Sequence, residues 1–250
     1  MPARKKTTKA PGQGMNAKQR KRRKPIDEAY MVPIEPLTHN QQIMFDEWDK
    51  GKMVYAYGVA GTGKTFVALY KALKEVLDDY SPYEKIYIVR SLVATREIGF
   101  LPGDHEDKSS LYQIPYKNMV QAMFEMPDDN SYEMLYDNLK AQETISFWST
   151  SFIRGTTLDN SIVIIDECQN LNFHELDSII TRVGQDSKII FCGDAAQTDL
   201  IKNNERTGIL DFQKIIMNME EFAMIEFGIE DIVRSGLVKS YLISKLNLGL

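Results

Sequence analysis

Short apolar runs punctuate this chain, and between most of them apolar residues recur at helical spacing. The runs Met53–Tyr57, Lys85–Arg90, Ser146–Ile153, Ser161–Ile165, Lys188–Cys192 and Ala223–Phe227 predict strands. Ile162-Val163-Ile164-Ile165 is continuous rather than alternating, the pattern of a parallel strand buried on both faces. Helical spacing predicts helices at Asn40–Asp49, Lys64–Leu77, His174–Arg182, Leu210–Ile216 and Asp231–Leu246, the last with Asp231 as its N-cap. Strands alternating with helices predict an α/β fold, a mostly parallel sheet with helices on both faces. The segment from Gly99 to Asp104 breaks the pattern, and about 105–142 reads as a helical insertion. Its Met119, Met123, Phe124, Met126, Met134 and Leu135 form either core or a partner-facing surface.

Charge divides the chain differently. Residues 1–24 hold ten Lys or Arg and no Asp or Glu, leaving 20 basic residues against 35 acidic ones from position 25 onward. The net charge of −5 therefore conceals a basic arm on an acidic body. The arm is poor in apolar residues and is expected to be disordered alone. Residues 1–33 are assigned to this tail and a linker, and 34–250 to one domain. Lys18, Arg20 and Lys21 are candidate phosphate contacts for nucleic acid, the alternative being a solubilising tail. An apolar fraction of 43% suffices for a core. Cys168 and Cys192 lack metal-ligand spacing. No apolar run approaches the roughly 20 residues that span a bilayer, so a soluble cytoplasmic protein without membrane partners is expected.

The strand ends carry the candidate chemistry. Gly58-Val59-Ala60-Gly61-Thr62-Gly63-Lys64-Thr65 fits G-x-x-x-x-G-K-[ST] between a predicted strand and a predicted helix, the context of a phosphate-binding loop. Its glycines let backbone N–H groups turn toward phosphates at a helix N-terminus. Lys64 would hold the β- and γ-phosphates of ATP, and Thr65 would place its hydroxyl on Mg²⁺. Asp166, delivered by the second buried run, is the second candidate for the metal. Glu167 is suited to orient and deprotonate water. Gly193-Asp194 ends a further run, with Gln197 as either a γ-phosphate sensor or a turn residue.

Asp166-Glu-Cys-Gln169 and Gly193-Asp-Ala-Ala-Gln197 resemble consecutive motifs of superfamily 1 helicases. Together with Ile98-Gly-Phe-Leu-Pro-Gly-Asp104, Phe152-Ile-Arg-Gly-Thr-Thr-Leu-Asp-Asn160, Thr181-Arg-Val-Gly184 and Asp231-Ile-Val-Arg-Ser235, they make the chain resemble the PhoH family of ATPases from roughly Ile34 to Leu242. Arg90-Ser91 departs from the Arg-Pro usual in that family. The resemblance implies a RecA-like P-loop NTPase core and a role with single-stranded RNA or DNA. It implies that Gln41, in Leu37-Thr-His-Asn-Gln41, reads adenine, although a glutamine at a helix start is also unremarkable. It further implies that Phe100 stacks a base and that Arg154 and Arg90 hold nucleic acid.

A single core of this kind needs an arginine to complete the ATP site. Arg234 is the first candidate and Arg182 the second, with Arg206 behind them. Supply from a neighbouring subunit would imply a homo-oligomeric ring, by analogy a hexamer. The function expected is Mg²⁺-dependent ATP hydrolysis coupled to single-stranded RNA or DNA. The alternative is an ATP-switched binding module with slow turnover. A small-molecule kinase fits less well, because Asp166-Glu167 suits water rather than a phosphoacceptor.

Overall fold

Six strands form one sheet in the order β3-β2-β4-β5-β1-β6, and every pairing is parallel. A computed structural model describes residues 26, 28–90, 105–153, 155–194 and 203–248. The strands are β1 (Met53–Gly58), β2 (Lys85–Arg90), β3 (Ile145–Trp148), β4 (Ser161–Asp166), β5 (Lys188–Cys192) and β6 (Phe222–Phe227). The helices are α1 (His39–Asp49), α2 (Lys64–Leu77), α3 (His105–Met123), α4 (Asp129–Ala141), the single turn α5 (Thr150–Ile153), α6 (Phe173–Ile180), α7 (Asn203–Met217) and α8 (Gly236–Asn247). This is a RecA-like α/β fold. Among the described residues no helix is long and apolar enough to cross a membrane.

The sheet is covered on both faces because its strand residues alternate sides. Val54, Ala56, Ile86, Ile88, Ile162, Ile164 and Ile190 join one core cluster with α1, α2, α3 and α4. Tyr55, Val89, Val163, Ile165, Ile189 and Phe191 join the other, with α5, α6 and α7. With both faces occupied, β4 and β5 are buried at every residue, which explains their uninterrupted apolar sequence.

The insertion predicted over 105–142 is a pair of helices laid on the first face. Met123, Phe124 and Leu135 are core, and Met119 and Met126 pack against it. Met134 is the exception, 68% exposed.

Two predicted boundaries need correction. The strand expected to reach Ile153 stops at Trp148. The chain then coils into α5, where the Thr150 hydroxyl donates to Glu175 on α6 and Ile153 is fully buried. Asp231 does not cap the last helix, which begins five residues later with Ser235 at its N-cap. Its carboxylate turns inward instead, accepting from Gly228 N at 2.8 Å and from Asn40 Nδ2 at 2.7 Å. The helix predicted at Leu210–Ile216 is the C-terminal half of the longer α7.

Strand order fixes what meets at the carboxyl edge. Because β5 lies between β1 and β4, the segments that follow these three strands emerge side by side. They are the loop after Gly58, the stretch at Gly193-Asp194 and Asp166-Glu167.

Candidate nucleotide site

The loop from Gly58 to Gly63 can be built only with glycine at its turning points. Gly58 has φ +117°, and a Cβ there would lie 2.2 Å from the Phe227 carbonyl oxygen on β6. Gly63 has φ +82°, and a Cβ there would meet Gln41 Nε2 at 2.8 Å. Gly63 also stands as the N-cap of α2, with no side chain capping the helix. The first-turn N–H groups of a 14-residue helix therefore face the loop unclaimed by a cap, the arrangement that attracts an anion.

Lys64 folds back over this loop. Its ammonium donates to Val59 O at 2.6 Å, to Gly58 O at 3.3 Å and to the Thr62 hydroxyl at 3.1 Å. Burial pushes its pKa down, opposed by the neighbouring Asp194, Glu167 and Asp166. Beside it the Thr65 hydroxyl donates to Asp166 Oδ1 at 2.6 Å.

Around them opens a cavity of about 820 Å³, lined by the loop and by Gln41, Arg90, Tyr116, Asp166, Glu167 and Arg234 among others. Gln41, the candidate adenine reader, has its amide engaged at both ends. Oε1 accepts from Leu37 N at 2.8 Å, and Nε2 donates to Thr62 O at 2.8 Å. It thus ties the segment before α1 to the loop.

Glu167 follows β4 in the left-handed region, φ 52° and ψ 42°. Such a conformation costs a non-glycine residue about 1–3 kcal/mol and turns the side chain out of the strand direction. Oε2 accepts from Gln169 Nε2 at 2.6 Å, and Oε1 lies 4.0 Å from Arg90. Burial raises the Glu167 pKa and the Asp166 charge adds to the rise, while Gln169 and Arg90 oppose it. The same Gln169 amide accepts from Asp194 N at 2.9 Å, so one side chain joins Glu167 to the end of β5. Sequence reading noted Gln169 only as part of a family tetrad.

Arg90, a candidate contact for nucleic acid, lines this cavity. Its backbone registers with Asp166 across β2 and β4, which carries it to the same edge. Arg234 is exposed, and its Cγ would lie 2.9 Å from a Cβ on Gly61. Its position is fixed by Val233 N, which donates to Gly61 O at 3.0 Å. Arg182 is not brought in. Its carbonyl accepts from Leu158 N, ahead of β4 at the amino edge of the sheet. The six residues of β4 put roughly 20 Å between that edge and the cavity. Arg206 falls within α7. Gln197, Phe100, Arg154, Lys18, Arg20 and Lys21 lie outside the described residues.

One lining residue had no signal in the sequence. The Tyr116 hydroxyl, from α3, donates to Asp166 Oδ2 at 2.6 Å in a buried setting. A tyrosine in a Met- and Tyr-rich helical segment reads as core, and its partner is 50 positions away.

The donor set fits a magnesium nucleotide. Among the described residues no group of three or more His, Cys, Asp or Glu could hold a metal alone. One hydroxyl and one carboxylate beside a phosphate loop match Mg²⁺, which keeps waters and takes its remaining ligands from phosphate oxygens.

Comparison with known proteins gives a consistent affiliation. The family profile described as PhoH-like protein matches residues 33–244. The PhoH-like protein of Mycobacterium leprae is 31% identical over 206 residues, covering 82% of this chain and 56% of that protein. The PhoH-like protein of Synechocystis sp. is 32% identical over 207 residues, covering 82% and 60%. This chain thus spans little more than half the length of these relatives. Among solved structures, the large terminase of a thermophilic bacteriophage in complex with ADP superposes with a TM-score of 0.45 at 14% identity, over 82% of this chain and 49% of that one. Bacteroides Pif1 bound to ssDNA gives a TM-score of 0.37 at 17% identity, over 78% and 42%.

Proposed function

The chain belongs to the PhoH-like protein family, and from that premise we propose that it is an Mg²⁺-dependent ATPase acting on single-stranded RNA or DNA. The observation that carries this reading is the 2.6 Å contact between Thr65 and Asp166 beside the Lys64 loop. It joins a phosphate-binding loop to a metal-supporting carboxylate at one sheet edge. In this reading the loop N–H groups and Lys64 bind the β- and γ-phosphates, and the Lys64 donors exchange loop carbonyls for phosphate oxygens. Thr65 and Asp166 hold Mg²⁺, which when bound offsets charge on the transferring phosphoryl oxygens. Glu167 orients water and takes its proton. Gln169 joins that carboxylate to Asp194, just past β5, and γ-phosphate sensing is assigned to Gln197. Arg234, lying over Gly61 of its own chain, is preferred as the arginine that completes the site. Arg182, at the opposite edge of the sheet from its own cavity, would serve only from a neighbouring subunit.

Nucleic-acid action is supported by the ten basic residues in positions 1–24 and by the family resemblance. It is tested by phosphate release from ATP and Mg²⁺ with and without single-stranded RNA or DNA. Stimulation by one polymer is expected, with a steep decline as salt rises. Turnover indifferent to both would favour an ATP-switched module with a protein partner.

A homo-oligomer, a ring and by analogy a hexamer, belongs to the same proposal. It is supported by α8, which buries none of its residues and leaves Leu237, Val238 and Tyr241 exposed. That helix lies beside the loop, with Leu242 Cδ1 3.4 Å from a Cβ on Gly61. Light scattering at micromolar concentration is expected to give about six chain masses. A monomer mass with and without ATP and Mg²⁺ would refute the ring.

A further inference from the structure

Both oxygens of Asp166 are held, and by different parts of the molecule. Thr65 on α2 takes Oδ1, and Tyr116 on α3 takes Oδ2, each at 2.6 Å. A carboxylate accepts only and a phenol has one proton to give, so this second contact is directional. Asp166 and Tyr116 are 7% and 2% exposed. A buried carboxylate oxygen without a donor costs more than the bond itself contributes.

The hydroxyl is held in place from several sides. The Tyr116 ring packs on Phe147 of β3 with centroids 5.4 Å apart. The next residue, Lys117, receives the Tyr132 hydroxyl of α4 on its carbonyl and pairs with Glu133 at 2.5 Å. The end of α3 is pinned where Val32 N donates to Met123 O at 2.9 Å. Arg90 lines the same cavity and lies 4.0 Å from Glu167. Asp166 is therefore braced by the helical insertion as well as by the sheet.

We propose that Tyr116 is a positioning residue for the metal site, by which the α3–α4 insertion fixes the orientation of Asp166. The proposal rests on the reading of Asp166 as the metal-supporting carboxylate. It predicts that the insertion contributes to Mg²⁺ affinity through the Tyr116 hydroxyl.

The test is a Mg²⁺ titration of a fluorescent ADP analogue bound to the full chain, for wild type, Tyr116→Phe and Lys117→Ala. Phe keeps the ring against Phe147 and removes only the hydroxyl. Binding without Mg²⁺ is expected to match wild type, while the half-saturating Mg²⁺ concentration rises about tenfold, as for loss of an outer hydrogen bond to a metal-orienting group. Lys117→Ala removes one tie of α3 to α4 while leaving the Tyr116 hydroxyl to donate to Asp166, and is expected to shift the titration in the same direction by less. A Tyr116→Phe titration superimposable on wild type overturns the proposal, and so does an equal shift in Lys117→Ala. A wild-type chain whose nucleotide binding ignores Mg²⁺ overturns the reading of the site itself, and this inference with it.

Discussion

Lys64→Ala is expected to lose nucleotide binding by a factor of about 30 to 4,000. The ammonium is buried in the loop and makes three hydrogen bonds there. Truncating one partner of a buried, hydrogen-bonded charge pair costs about 2–5 kcal/mol, and the phosphates have no second lysine in the loop to turn to. The fold should survive, since α2 is anchored by Val67, Ala68, Leu69, Leu73 and Val76 further along. Titration with a fluorescent ATP analogue, beside a thermal melt, separates the two effects. A variant that binds as wild type would mean that the loop does not hold phosphate.

Glu167→Gln should do the opposite, keeping nucleotide and losing turnover. The substitution is isosteric and leaves Lys64, Thr65 and Asp166 in place. It removes proton acceptance from water, while the amide can still orient that water by hydrogen bonding. General-base contributions run to about 10²–10⁴-fold in rate, so kcat is expected to fall by that factor while ATP affinity stays within about threefold. The left-handed backbone at Glu167 makes this a demanding position. Equal loss of binding and turnover would reassign Glu167 to holding the loop. Unchanged kcat would move the base elsewhere.

What sequence reveals here follows from how local the physics is. β4 and β5 are legible almost to the residue, because burial on both faces demands unbroken apolar runs at Ile162–Ile165 and Ile189–Phe191. The loop is legible because only glycine tolerates the turn at Gly58 and the close approach of Phe227. Strand order then follows from neither, yet it is what brings Asp166 to Thr65. The positions whose setting is not legible are those whose partners are distant. Asp231 reads as a helix cap locally but is claimed by Asn40, 191 positions away. Arg90 reads as a basic residue free for nucleic acid, and the β2–β4 register turns it to the cavity. Arg182 sits close to the motifs in sequence and at the opposite edge of the sheet in space. Tyr116 has no local signature at all, since its chemistry exists only when α3 brings it to Asp166 at the end of β4.

The central claim is that the 58–65 loop, with Asp166 and Glu167, hydrolyses ATP. Single-turnover conversion tests it most directly, with the chain in excess over labelled ATP in Mg²⁺ and the label followed in both nucleotide and phosphate. Bound ATP is expected to become ADP and free phosphate in wild type, and to stay bound but intact in Glu167→Gln. ATP that remains intact in wild type, or a label that appears on another acceptor instead of in phosphate, would contradict it.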